Sequence, residues 1–206
     1  MNKKIFITGI GTDVGKTIVA AIVCESLKAD YWKPIQAGDI GKGDIETVQS
    51  LISNQQTKFH PNSYALNTPA SPHYAAELDG ITIELNEINE PDTNSTLIIE
   101  GAGGLLVPLN NQATVFDLIK DEYHVIVVSR HYLGSINHTL MTLEMLKQKG
   151  LSYSLIFNGN ENKATEEIIQ KMSNCSIIGR IDEEQSLNSN TIKKYATQFH
   201  SKLLKL

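Results

Sequence analysis

The sequence predicts an α/β domain built on a doubly wound, mostly parallel sheet. Three observations carry that prediction. Short runs rich in Ile and Val recur along the chain, apolar at successive positions as strands buried on both faces require. Helix-length segments with apolar residues at helical spacing lie between them. Each strand-like run ends in glycine, polar residues or both, where ligands gather in sheets of this kind. At 206 residues, the whole chain (1–206) is expected to form one such domain.

The first strand is KKIFIT, Lys3 to Thr8, and it runs into Gly9, Gly11 and Gly15. A helix follows over Thr17 to Leu27, with Ile18, Ala21, Ile22 and Leu27 at helical spacing. YWK, Tyr31 to Lys33, is a shorter strand that stops before Pro34. The region from Gly38 to Pro91 is the least regular and holds most of the prolines; it reads as an insertion lining the site. Within it Ser71 and Pro72 resemble a helix cap and first turn. STLIIE (Ser95 to Glu100) and HVIVVS (His124 to Ser129) are strands. A helix over Ser135 to Lys149 carries Ile136, Leu140, Leu143 and Leu146. YSLIFN, Tyr153 to Asn158, is read as the last strand. There is no internal repeat or low-complexity segment.

Composition excludes several function classes. A net charge of -5 argues against a nucleic-acid footprint. The start MNKKIFITGIG is basic, but its apolar run is too short for a signal peptide and ends in glycines. No stretch could span a bilayer, so a cytoplasmic, unprocessed protein is expected. Cys24 and Cys175 lack partners at metal or redox spacing and read as small buried thiols. His60, His73, His124, His131, His138 and His200 form no metal motif, and no G-x-S-x-G elbow appears.

The strand ends hold the candidate chemistry. Glycines after the first strand let backbone N–H groups turn toward an anion, and the helix start adds positive potential. Lys16 would reach terminal phosphates, and the Thr17 hydroxyl would take a Mg²⁺ position. This is a phosphate-binding loop of unusual spacing. Counting back from Gly15 by the common G-x-x-x-x-G-K-[ST] pattern lands on Ile10, between Gly9 and Gly11. Pro34 holds Lys33 extended, so that its ammonium projects into the cleft. Glu100 closes a buried strand before GAGG (Gly101 to Gly104), where a Mg²⁺-linked carboxylate is expected. Asp44 in GKGD supplies a second carboxylate, or Asp39 does. Ser135 caps a helix whose free N–H groups suit a carboxylate, or is an ordinary cap. Asn158, followed by Gly159 and Asn160, offers an amide to a base edge or forms a plain turn.

Taken in order, these segments resemble the dethiobiotin synthetase family. TGIGTDVGKT is similar to its loop TGTDTxVGKT, in which one extra residue separates the first glycine from Gly-Lys-Thr. YWKPIQAG resembles its KPVQTG segment, and TPASPHYAA, IIEGAGG and LGSINHT appear in family order. NGN at Asn158 to Asn160 stands where the family has an Asn-Asp or similar pair. The likeness covers nearly the whole chain, and it implies a P-loop NTPase-like fold and a homodimer.

The implied reaction takes 7,8-diaminononanoate, CO₂ and MgATP to dethiobiotin, ADP and phosphate, through a carbamate and a carbamic-phosphoric anhydride. The resemblance implies Lys16 and Lys33 as catalytic residues. It implies nucleotide contacts from Gly11, Thr12, Asp13, Val14, Gly15, Lys16, Thr17, Ile18, Asp44, Glu100, Gly101, Ala102, Gly103, Asn158 and Gly159. Mg²⁺ falls to Thr17, Asp44 and Glu100. The substrate falls to Thr12, Lys33, Ala37, Gly103, Gly134, Ser135, Ile136 and Asn137, the last four contributed by the partner subunit in the family. Neither membrane nor nucleic acid is an implied partner.

Some positions depart from the family pattern. Ala37 stands where Ser or Thr is common, with Gln36 or a water as the compensating contact. Gly11 replaces an Asp seen in some members. GRIDEEQ, Gly179 to Gln185, lacks a Pro often found near the adenine, which leaves nucleobase selectivity open.

A MinD- or ParA-like switch ATPase is the alternative. In TIKKYATQFHSKLLKL, Ile192, Tyr195, Phe199 and Leu203 share one helical face, with Lys193, Lys194, Lys202 and Lys205 mostly elsewhere. Such a helix docks on its own sheet or lies on an anionic membrane. Switch ATPases carry an extra lysine early in the loop, and Ile10 or Gly11 occupies that position here. A nucleotide-binding module without catalysis is a further alternative.

Overall fold

The computed structural model describes residues 3–206. Its strands are β1 (Lys4–Gly9), β2 (Asp30–Trp32), β3 (Ile35–Ala37), β4 (Phe59–His60), β5 (Tyr64–Leu66), β6 (Leu97–Gly104), β7 (His124–Arg130), β8 (Ser152–Asn158) and β9 (Ser176–Ile181). Its α-helices are α1 (Lys16–Leu27), α2 (Asp44–Leu51), α3 (Pro72–Leu78), α4 (Ser135–Gln148), α5 (Lys163–Ser173) and α6 (Ser189–Leu203). Seven strands form one sheet in the order β4-β2-β6-β1-β7-β8-β9. All its pairings are parallel, while β3 and β5 make a separate parallel pair.

The central strands are apolar on both faces because both faces are covered. Ile5, Phe6, Ile7, Ile98, Val125, Ile126, Leu155 and Ile156 have no solvent exposure. From β1 the chain crosses leftward through α1 to β2, and from β7 it crosses rightward through α4 to β8. Right-handed crossovers in opposite directions put those helices on opposite faces of the sheet. Accordingly α1 packs with α2 and α6, and α4 packs with α5. The direction of winding reverses beside β1, which leaves a crevice at the carboxyl ends of the central strands.

Several sequence expectations need correction. YSLIFN is not the last strand, because β9 lies beyond it. Its apolar run is broken by Gly179 and Arg180, and the glycine has a packing cause. A Cβ there would lie 2.2 Å from Cε1 of Phe199 on α6. Glu100 does not close its strand, since β6 continues through GAGG and Gly104 pairs with Gly9 after a register shift. Ser135 does not cap α4. The cap is Gly134, with φ 101 and no side-chain cap bond, and Ser135 is a buried first-turn residue. Ser71 does precede α3 with Pro72 in the first turn, though its side chain makes no cap bond.

The region 38–91 holds α2, β4, β5 and α3, and one of its strands, β4, extends the main sheet. The apolar face of α6, formed by Ile192, Tyr195, Phe199 and Leu203, is buried, and the helix packs on α1 and β9. Among the described residues no helix is long and apolar enough to cross a membrane. Cys24 and Cys175 are both buried and free.

Candidate active site

A cleft of about 780 Å³ opens at the carboxyl ends of β1, β3 and β6. Thr12, Asp13 and Gly15 to Ile18 line one wall, with Ala102, Gly103 and Val107 beside them. Lys33, Ile35 to Ala37, Asp39, Asp44 and Pro69 to Pro72 line the other side, over Glu100. From the irregular region between Gly38 and Pro91, Asp39, Asp44 and Pro69 to Pro72 reach the cleft.

The glycine loop has its own steric logic. Gly9 admits no side chain, because a Cβ would lie 2.5 Å from Cγ2 of Val14. Gly15 has φ 97, and a Cβ there would meet Nδ2 of Asn158 at 2.4 Å. Gly11, by contrast, has open space around it. The loop is thus complete with Gly9 as its opening residue. Two groups hold its apex from outside. Asn158 Nδ2 donates to the Val14 carbonyl at 2.8 Å, and Arg130 donates to the Asp13 carbonyl at 3.1 Å. Asp13 takes φ 55, a conformation uncommon outside glycine.

Lys16 is buried and bends back over the loop, its Nζ 3.2 Å from the Gly11 carbonyl. Burial lowers its pKa below the ordinary lysine value, and the Lys33 charge adds to the shift against the pull of Glu100. Lys33 behaves oppositely. Burial alone would lower it, but the Glu100 and Asp44 carboxylates outweigh that and hold it above the ordinary value. Two neighbouring lysines are therefore set apart, Lys33 firmly cationic and Lys16 more easily neutralised.

Oxygen atoms converge between these lysines. Thr17 Oγ1 lies 2.9 Å from Asp44 Oδ1 and 3.0 Å from Glu100 Oε1. Lys33 Nζ pairs with Asp44 and lies 3.3 Å from Glu100 Oε1. Burial acts to raise the pKa of Asp44, but Lys33 and the Thr17 hydroxyl outweigh it and hold the carboxyl below its usual range. One hydroxyl proton cannot serve two carboxylate oxygens at once. Two carboxylates and a hydroxyl this close are oxygen donors of the kind a hard divalent cation takes. Among the described residues no group of three or more His, Cys, Asp or Glu offers a competing metal site.

Of the two candidate carboxylates, Asp44 joins this cluster, whereas Asp39 lines the cleft without a bond to Thr17 or Lys33. Gly11 to Ile18, Ala102, Gly103 and Ala37 lie at or beside the cleft. Gly101 does not line it, because its Cα faces the core, where a Cβ would lie 2.9 Å from the Phe6 ring. Asn158 and Gly159 do not line the cleft, and the Asn158 amide donates one N–H to the Val14 carbonyl. Gly134, Ser135, Ile136 and Asn137 lie outside the cleft of their own chain. Gln36 is engaged as well, donating to the Gly38 carbonyl at 3.0 Å and accepting from the Asp44 N–H at 3.4 Å.

Sequence reasoning missed Tyr31, whose hydroxyl donates to Glu100 Oε2 at 2.8 Å. It also missed Arg130 and the wall formed by Pro69 and Ala70. The signal for Tyr31 was its place two residues before Lys33, on the same side of an extended strand.

A glycine loop opening onto a helix, with Lys16 and Thr17 in its first turn and a carboxylate on the adjacent strand, is the construction of a P-loop NTPase. Full-length relatives narrow that class. The ATP-dependent dethiobiotin synthetase of Christiangramia forsetii is 52% identical over 100% of both chains. That of Cytophaga hutchinsonii is 45% identical over 95% of this chain and 96% of its own. The chain belongs to the ATP-dependent dethiobiotin synthetase family. A family profile described as AAA domain matches residues 3–191.

Among solved structures, a plasmid partition protein from Borrelia burgdorferi bound to AMPPNP superposes with a TM-score of 0.60. It shares 16% identity, with 100% of this chain and 99% of that one covered. The cell division ATPase MinD of Pyrococcus furiosus gives a TM-score of 0.59 at 14% identity, covering 98% and 99%. At such identities the likeness speaks to the fold alone.

Proposed function

We propose that this chain forms dethiobiotin from 7,8-diaminononanoate, CO₂ and ATP as a single-domain, Mg²⁺-dependent cyclo-ligase of the cytoplasm. The observation that carries the reading is the pairing of Lys33 with Glu100 and Asp44 beside Lys16 and Thr17 in one cleft. Family membership supports the substrates, and the geometry supports the division of labour.

In this reading one substrate amine takes up CO₂, forming a C–N bond and releasing a proton. CO₂ reacts with the neutral amine, and two nearby lysine charges lower that amine's pKa. A carbamate approaching ATP brings anions together, so cations must face both. Lys33, held cationic, faces the carbamate, and Lys16 spans the interval to the phosphates. A carbamate oxygen then attacks the γ-phosphorus, and the bond to the bridging oxygen breaks as ADP leaves. The second amine attacks the carbonyl carbon of the mixed anhydride. Phosphate departs with the former carbamate oxygen, and the amine loses its proton as the ring closes.

Thr17, Asp44 and Glu100 would hold Mg²⁺, which neutralises charge on the phosphate oxygens. The exposed N-terminus of α4, with Gly134 to Asn137 outside its own cleft, suits the far carboxylate of a substrate bound to a second copy. Homodimerisation is part of the proposal for that reason. A basic membrane-binding helix is not, since the apolar face of α6 is buried in its own fold.

The test is incubation with diaminononanoate, bicarbonate and MgATP. Dethiobiotin and phosphate are expected in equal amounts. ATP hydrolysis without dethiobiotin would instead support an ATPase switch, and neither product would leave a binding module.

A further inference from the structure

Tyr31 is fully buried on β2, yet it carries a polar group deep in the sheet. β2 runs beside β6, with Tyr31 opposite Ile98 and Trp32 opposite Ile99. Side chains alternate along an extended strand, so Tyr31 and Lys33 point to the same side, toward Glu100. They take different oxygens. The Tyr31 hydroxyl donates to Oε2 at 2.8 Å, and Lys33 reaches Oε1 at 3.3 Å. Oε1 is also the oxygen 3.0 Å from Thr17. The ring of Tyr31 is itself fixed against Phe59, with centroids 5.9 Å apart.

We infer that Tyr31 is a positioning residue for the active-site carboxylate, fixing Glu100 so that Oε1 alone is presented to a divalent cation at Thr17. A carboxylate gripped by Lys33 alone could rotate and offer either oxygen. The Tyr31 hydroxyl saturates the inner oxygen from within the core and so sets the rotation. A phenol is a donor as well as an acceptor, and here its hydroxyl donates to the carboxylate oxygen that faces the core. This inference rests on the proposed Mg²⁺-nucleotide reading of the cleft, and it assigns Tyr31 no contact with substrate.

The test is Tyr31→Phe, which keeps the ring on Phe59 and removes one hydroxyl. Mn²⁺ affinity of the complex with a non-hydrolysable ATP analogue is read by electron paramagnetic resonance, alongside metal-free binding of that analogue. About a tenfold loss of Mn²⁺ affinity with metal-free nucleotide affinity unchanged is expected, as for the loss of one group orienting a ligand. Unchanged Mn²⁺ affinity, or equal losses in both, overturns the inference.

Glu100→Gln and Tyr31→Phe/Glu100→Gln complete a double-mutant cycle, and those two variants alone still give a comparison if Tyr31→Phe does not fold. Acting through the carboxylate, Tyr31→Phe has no further effect on nucleotide half-saturation in the Gln background. A further loss there contradicts it. Because these readouts are binding equilibria, a failure to make dethiobiotin overturns the functional reading without deciding the role of Tyr31.

Discussion

The ammonium of Lys33 lies 3.3 Å from Glu100 Oε1, with both side chains withdrawn from solvent. Asp44 completes the pairing from α2. A cation held between two carboxylates in a cleft is an arrangement for electrostatic work rather than for stability, because buried ion pairs return little of their desolvation cost. Replacing Lys33 by Gln is expected to lower turnover by about 100-fold or more, the scale of a lost electrostatic stabiliser. ATP affinity should change far less. Steady-state kinetics with direct nucleotide-binding measurements check this, and equal losses in both would mean that Lys33 binds nucleotide.

Removing the same charge leaves Glu100 and Asp44 with no cation paired to them, and Lys16 acting only from beyond ion-pair distance. Lys33→Gln is therefore also expected to cost about 3 kcal/mol of stability at neutral pH. Urea denaturation should show that loss. It should shrink in Lys33→Gln/Asp44→Asn, which removes one of the unpaired charges.

Thr17 contributes one hydroxyl to the oxygen cluster and sits in the first turn of α1. Thr17→Val preserves its shape. The variant should fold with wild-type stability to within about 1 kcal/mol, since the hydroxyl's net hydrogen-bond contribution is small. Its dependence on Mg²⁺ should move to higher concentration, and a titration of activity against Mg²⁺ at fixed ATP reads this directly.

The loop glycines are not equivalent. Gly15→Ala must place a Cβ 2.4 Å from Asn158 Nδ2 at φ 97, so it strains the backbone and displaces the amide that braces Val14. A stability loss of about 1–3 kcal/mol and weakened ATP binding are expected. Gly11→Ala meets nothing within 4 Å and should leave the melting temperature unchanged. Thermal denaturation of both variants, with and without nucleotide, checks the contrast.

Two groups outside the cleft contribute to the acid limb of stability. Burial, aided by the Lys3 charge, lowers His124 from its ordinary 6.5 to about 4. The unfolded chain therefore takes up this proton before the native one, and stability falls as pH drops from about 6.5 toward 4. For Glu90, burial acts to raise the pKa, but Lys120, Lys4 and Tyr123 outweigh it and bring it from 4.5 to about 2. Its contribution is present above 4.5 and lost as pH falls through 2. Urea midpoints measured across this range should show both losses, and His124→Gln should remove the first alone.

The central architecture was legible because its signals are local. A glycine loop between a buried strand and a helix is written in consecutive residues, and Ile- and Val-rich strands announce coverage on both faces. The edges were not. β4 is two residues long and β3 and β5 three each, too short to show a period. β9 was hidden because Gly179 yields space to Phe199, a constraint set by a helix far along the chain. Asp44 could be told from Asp39 only once α2 carried it to Thr17. Gly101 read as a nucleotide contact, although packing on the Phe6 ring accounts for a glycine there. Tyr31 read only as part of a short strand, which it is, but its hydroxyl meets Glu100 on the neighbouring strand.

The most direct test follows the oxygen that joins carbamate to phosphate. Reaction is started with ¹⁸O-labelled CO₂ and quenched before exchange with water, and the inorganic phosphate is weighed by mass spectrometry. Attack by a carbamate oxygen on the γ-phosphorus predicts one ¹⁸O in each phosphate released with dethiobiotin. Dethiobiotin formed alongside unlabelled phosphate would mean that water, not the carbamate, accepts the phosphoryl group.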